Sequence, residues 1–170
     1  MAGVPAAPRS VTVDCTDIRA TERLGRAFAE ALAVTESGPL LVTLSGELGA
    51  GKTTLVRAIL RALGHVGPVP SPTYTLLEQY AAGGWDVAHL DFYRLRGAAD
   101  LESLGVRDLF AGRRLILVEW PENAAGGLPA ADVAVAIALP PGGRSMELRT
   151  AGPTGESLLA GITQRMAIKS

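Results

Sequence analysis

Much of what this sequence could do is closed off by what it has little of. Cys15 is the only cysteine among 170 residues, so no disulfide can form within the chain and a thiolate-held metal is not expected. His65 and His89 are the only histidines, too few for a histidine metal site, and a packing or surface role is the expectation for both. No segment approaches the roughly 18 apolar residues of a membrane-spanning helix. The opening "MAGVPAAPRSVTVD" has neither a basic leader nor a sustained apolar stretch, so a soluble, cytoplasmic protein is expected. The formal net charge is -1, with no basic stripe of the kind that grips a phosphate backbone, which disfavours direct RNA binding.

What is present suits one compact domain over residues 1–170, with residues 1–10 loosely held. Hydrophobic residues make up 48% and charged residues 19%, which argues against extensive disorder. Leu24, Phe28, Ala31 and Leu32 recur at helical spacing in "RATERLGRAFAEALAV", and the apolar strand "PLLVTLS" follows. A second helix carries Leu55, Ile59 and Leu63 on one face and ends at Gly64. "TYTLLEQY" and "WDVAHLDFYRL" read as a hairpin about "AAGG", and "AADLESLGVRDLF" as short helical turns. "RLILVEW" at 114–120 is a buried strand, "DVAVAIAL" and "SMELRT" form a second hairpin, and Leu158, Leu159, Ile162 and Met166 mark a last helix. The expected fold is α/β, with a mixed, partly parallel sheet flanked by helices and antiparallel hairpins.

Between the first strand and the second helix lies "SGELGAGKTTL", in which Gly46, Gly51, Lys52 and Thr53 complete the pattern G-x-x-x-x-G-K-[ST]. The strand, loop and helix context is what a phosphate-binding P-loop requires. Triphosphate oxygens need many close donors, and bare glycine backbone approaches where a side chain would intrude. Leu48, Gly49, Ala50, Gly51, Lys52 and Thr53 are expected to present their N–H groups, and Thr54 a contact nearer the α-phosphate. Lys52 brings charge to the β and γ oxygens, and the Thr53 hydroxyl is placed to ligate magnesium. The expected ligands are therefore ATP and Mg²⁺.

Such a magnesium needs an acid at the end of a neighbouring strand, and two are available. Leu115 to Val118 lead directly to Glu119, the pattern of a central strand delivering its carboxylate at the sheet edge. Asp91 shares a strand face with His89 and Tyr93. Glu119 is assigned to the metal and Asp91 to a water-bridging or nucleophile-orienting role, with a solvated capping acid as the plain alternative for each. Trp120 either packs over the nucleotide pocket or is an ordinary core aromatic.

Taken in order, "GELGAGKTTLVRAILRALG", "SPTYTLLEQY", "HLDFYRL", "LESLGVRDLF" and "LILVEWPE" resemble the bacterial TsaE (YjeE) family over about residues 21–150. The resemblance implies a Mg-dependent ATPase of tRNA threonylcarbamoyladenosine (t6A) modification, acting on the TsaB–TsaD complex to sustain turnover, weak alone and stimulated by those partners. It leaves direct tRNA contact open. Position by position it makes Lys52 the phosphate lysine, Thr53 and Glu119 magnesium ligands and Asp91 a functional acid. "SPTYT" becomes a switch-like segment with Ser71 and Thr73 near the γ-phosphate. Arg144 and Thr21 are the candidates for the adenine side. The competing reading is a small-molecule or nucleoside P-loop kinase. Against it, no arginine-rich lid is present, since Arg94 and Arg96 follow the strand acid and Arg113 and Arg114 precede a buried strand. A GTPase is disfavoured because no N-K-x-D segment occurs.

Overall fold

The computed structural model describes residues 9–124 and 126–167. Residues 1–8, most of the stretch expected to be loosely held, lie outside the described residues. Ser10 instead opens an unforeseen strand, β1 (Ser10–Asp14). Helix α1 (Ile18–Ala33) follows, its N-terminus capped by the Asp17 carboxylate, which accepts from the Ala20 N–H at 2.8 Å. Then come β2 (Leu40–Gly46), α2 (Lys52–Ala62), the hairpin β3 (Leu77–Ala82) and β4 (Trp85–Asp91), and a short helix α3 (Ala98–Ser103). The chain closes with β5 (Arg114–Glu119), the hairpin β6 (Val133–Ala138) and β7 (Ser145–Thr150), and α4 (Gly152–Ala167).

The seven strands among the described residues join one sheet in the order β1-β7-β6-β2-β5-β4-β3. The central pairings, β2 with β5 and β6 and β4 with β5, are parallel, and the outer pairs are antiparallel. The mixed sheet is thus as expected. Both of its faces are covered, which is why β2 and β5 read as unbroken apolar runs. Val42, Leu44, Leu115 and Leu117 point to the side packed by α1, α2 and α4, with Phe28, Ile59 and Leu159 among them. Leu41, Ile116 and Val118 point to the other side, under α3 and the turns around Val106 and Leu109.

Two local features set the site. Helices α1 and α2 cross so closely at Gly25 that a Cβ there would lie 2.6 Å from Ala58 Cβ, 2.7 Å from Ala58 C and 2.9 Å from Ile59 N. The first predicted hairpin also begins later than expected: residues 72–75 form a turn rather than strand, and β3 starts only at Leu77. The Leu76 N–H closes that turn by donating to Pro72 O at 2.7 Å, and Leu76 takes a left-handed φ of 66°. A β-branched composition is overridden here by the hydroxyl contacts described next.

Candidate functional site

The site assembles at the carboxyl ends of three adjacent strands. β2 delivers the loop, β5 delivers Glu119 and β4 delivers Asp91, and the register sets Glu119 between Leu44 and Asp91. Gly46 leaves the sheet at φ 150°, where a Cβ would sit 2.7 Å from Ile137 O, so the turn has no room for a side chain. Gly51 caps α2 at φ 109° with no side-chain hydrogen bond. The first N–H groups of α2 are therefore not consumed by a capping side chain, and they add to the positive end of the helix dipole.

Lys52 is buried in the cleft, with Nζ donating to Gly46 O at 2.6 Å and Glu47 O at 2.9 Å and lying 4.0 Å from the Trp120 ring centre. Burial pushes its ammonium below the usual lysine range, opposed by the charges of Glu119, Glu122 and Asp91. Trp120 holds its ring there from a left-handed φ of 57°, pinned by its N–H donating to Leu44 O at 3.1 Å and flanked by Tyr93 at 5.1 Å between ring centres. Such strain in a non-glycine residue persists only where surroundings impose it.

The Thr53 hydroxyl donates to Glu119 Oε1 at 2.7 Å, and His89 Nε2 lies 2.8 Å from the same oxygen. Asp91 faces the "SPTYT" segment: its Oδ2 accepts from Ser71 at 3.1 Å and Thr73 at 3.0 Å, its Oδ1 from the Tyr93 N–H at 2.9 Å, and the two hydroxyls are 2.8 Å apart. Residues of the loop, of "SPTYT" and of both acids surround one cleft of about 250 Å³. A second hollow of about 410 Å³ beside it is bounded by Cys15, Asp17, Ile18 and Leu139, and shares Thr54 and Arg144 with the first.

The family model for the threonylcarbamoyl adenosine biosynthesis protein TsaE matches residues 15–145. The chain belongs to the TsaE family. It is 42% identical over 143 residues to the tRNA threonylcarbamoyladenosine biosynthesis protein TsaE of Haemophilus influenzae, covering 83% of this chain and 90% of that protein. The like-named protein of Bacillus subtilis is 36% identical over 118 residues, 69% of each chain. The crystal structure of Bacillus subtilis YdiB superposes with a TM-score of 0.76 at 25% identity, covering 92% of this chain and 96% of that one.

Most of the expected residues of this TsaE-family chain meet in the cleft: Leu48, Gly49, Gly51, Lys52, Thr53, Thr54, Thr73, Asp91, Glu119, Trp120 and Arg144 all line it. Gly46 and Ala50 support the loop from behind, Ala50 being buried. Arg144 packs its guanidinium against Gly51, where a Cβ would lie 2.9 Å from Cζ. Thr21 does not come to the site. It is fully buried on the inner face of α1 beside the Cys15 thiol, because it shares the apolar stripe of Leu24 and Phe28. Tyr93 and His89 were not anticipated as site residues. The signal for His89 was its two-residue spacing from Asp91, which puts the two on one face of β4; Tyr93 lies in the turn just beyond that strand. Among the described residues no helix is long and apolar enough to cross a membrane.

Proposed function

We propose that this protein is a Mg²⁺-dependent ATPase that acts on the TsaB–TsaD complex to sustain t6A modification. The observation that carries the reading is the Thr53 to Glu119 hydrogen bond of 2.7 Å beside a buried lysine at a helix N-terminus. A threonine O–H that donates to a carboxylate keeps its oxygen lone pairs for a cation. The donor set fits magnesium, which takes few protein oxygens and completes its shell with water and phosphate. Thr53 directly, and Glu119 directly or through water, would hold the ion, whose chemistry there is to neutralise charge on the β and γ oxygens.

The chain's own groups do the rest. The loop N–H groups and the α2 N-terminus cradle the phosphates, and Lys52 turns from the Gly46 and Glu47 carbonyls to the β and γ oxygens. Asp91 has acceptor capacity beyond its three present donors, so it orients the attacking water while holding Ser71 and Thr73 beside the γ-phosphate. The adenine extends toward the hollow shared by Thr54 and Arg144. Phosphoryl transfer needs positioning and charge stabilisation more than covalent help. Arg94 stacks 4.2 Å over exposed Tyr74 in "SPTYT", a segment that a partner could reorder on docking.

Phosphate release by the purified chain, with and without TsaB–TsaD, tests the proposal: slow hydrolysis alone and marked stimulation are expected. Rapid transfer to a small metabolite, with TsaB–TsaD without effect, would establish the kinase reading instead.

A further inference from the structure

We propose that His89 is a positioning residue for the metal side of this site, acting through Glu119. The inference rests on the reading of Thr53 and Glu119 as the magnesium residues. His89 is fully buried on β4 and reaches across to β5, where its Nε2 meets Glu119 Oε1 at 2.8 Å; that oxygen also receives the Thr53 hydroxyl at 2.7 Å. An ionised carboxylate only accepts, so Nε2 carries the proton and donates. One oxygen thus takes two donors, one from the phosphate-loop helix and one from the sheet, and both of its lone pairs are used.

Packing alone gives no reason for a histidine here. Among the described residues its buried Nδ1 finds no hydrogen-bond partner, a desolvation penalty that leucine or methionine of similar size would avoid. The compensating gain is the bond to Glu119, a residue that is itself only 2% exposed. With His89 in place, Oε1 faces Thr53, the Thr53 O–H is committed to Glu119, and the Thr53 lone pairs are directed away from it toward the cleft. Without it the carboxylate can rotate and Thr53 loses its fixed direction. Partners of this kind, one bond behind a metal ligand, typically set metal affinity by about 10–100-fold.

The test is the Mg²⁺ concentration needed for half-maximal tightening of a non-hydrolysable ATP analogue, measured by calorimetry, next to analogue binding in EDTA and thermal melting. His89→Leu is expected to raise the Mg²⁺ requirement about tenfold while binding in EDTA changes less than about twofold and the melting temperature is kept or raised. His89→Gln, whose amide nitrogen can occupy the place of Nε2, should bring the requirement back toward wild type. If His89→Leu does not fold, His89→Met against His89→Gln makes the same comparison. A folded His89→Leu or His89→Met protein with an unaltered Mg²⁺ requirement, or equal losses with and without Mg²⁺, would overturn the proposal. Glu119→Gln separates the two levels. If it raises the Mg²⁺ requirement and His89→Leu does not, only the positioning role falls; if it has no effect, the metal reading of Glu119 falls too.

Discussion

Replacing Gly25 by alanine should destabilise this protein, although helix propensity alone predicts the opposite. Gly25 is interior to α1, where alanine is favoured by about 1 kcal/mol. The added Cβ would meet Ala58 Cβ at 2.6 Å and two backbone atoms of α2 at 2.7 and 2.9 Å. Ordinary carbon contacts lie at about 3.5–4.0 Å, so the helices must part by roughly 1 Å. Overpacking of this kind costs about 1–3 kcal/mol, and the upper end applies because backbone cannot swing aside. The net loss is therefore about 2 kcal/mol, or roughly 4–8 °C in melting temperature for a chain of this size. Since α2 begins at Lys52, about 9 Å along the helix from Ala58, displacement there should also weaken ATP binding. Thermal and urea melts check the first effect and calorimetry the second. A melting temperature at or above wild type would refute the crossing argument.

Other outcomes follow from the site. Lys52→Ala should abolish hydrolysis while leaving the fold intact, measured by phosphate release and melting; retained turnover would sink the phosphate-site assignment. Glu119→Gln should disturb Mg²⁺-dependent binding, whereas Asp91→Asn should spare binding and slow turnover, since its action falls mainly in the transition state; the reverse pattern in parallel binding and rate assays would exchange their roles. ATP affinity should be level at neutral pH and decline as pH rises through the lowered value of Lys52, beginning below the ordinary 10.5. The sign follows because phosphates favour the charged lysine, so binding takes up a proton above that point; titrations from pH 7 to about 10.5 test it, and a flat profile would contradict it. Cys15, 1% exposed and with its thiol pushed up by burial, should resist alkylation until the protein unfolds, checked by mass spectrometry across a urea series.

The parts of the site visible in the sequence are those written in contiguous residues. The phosphate loop depends on glycines at fixed offsets, and Glu119 announces itself through the apolar run Leu115 to Val118. His89 showed its shared strand face with Asp91 but not its partner Glu119, which is 30 residues away on the next strand. β1 was missed because its short Val11 and Val13 alternation gains meaning only from pairing with β7, about 135 residues on. The early start assigned to the first hairpin failed for a similar reason: Thr73 has strand propensity, yet its hydroxyl is drawn to Asp91, 18 residues away. Thr21 is buried rather than lining the cleft, as its position three residues before Leu24 on the apolar stripe already indicated.

The central place of β2 has a consequence for how the chain is made. Its β5 side finds a partner once residues 114–119 emerge from a ribosome, but its β6 side waits for Val133 and beyond. From Gly46 to Val133 is close to 90 residues, or roughly 5–18 s of synthesis at bacterial to eukaryotic rates. For most of that interval both edges of the strand bearing the nucleotide loop are open, and once β5 has emerged the β6 edge still is; β1, the first of the described strands, stays unpaired until β7 arrives as the last of them. Nascent-chain arrest just before residue 133 should therefore give a species that pairs with other chains, and arrest after residue 150, with the remaining strands clear of the exit tunnel, one that does not.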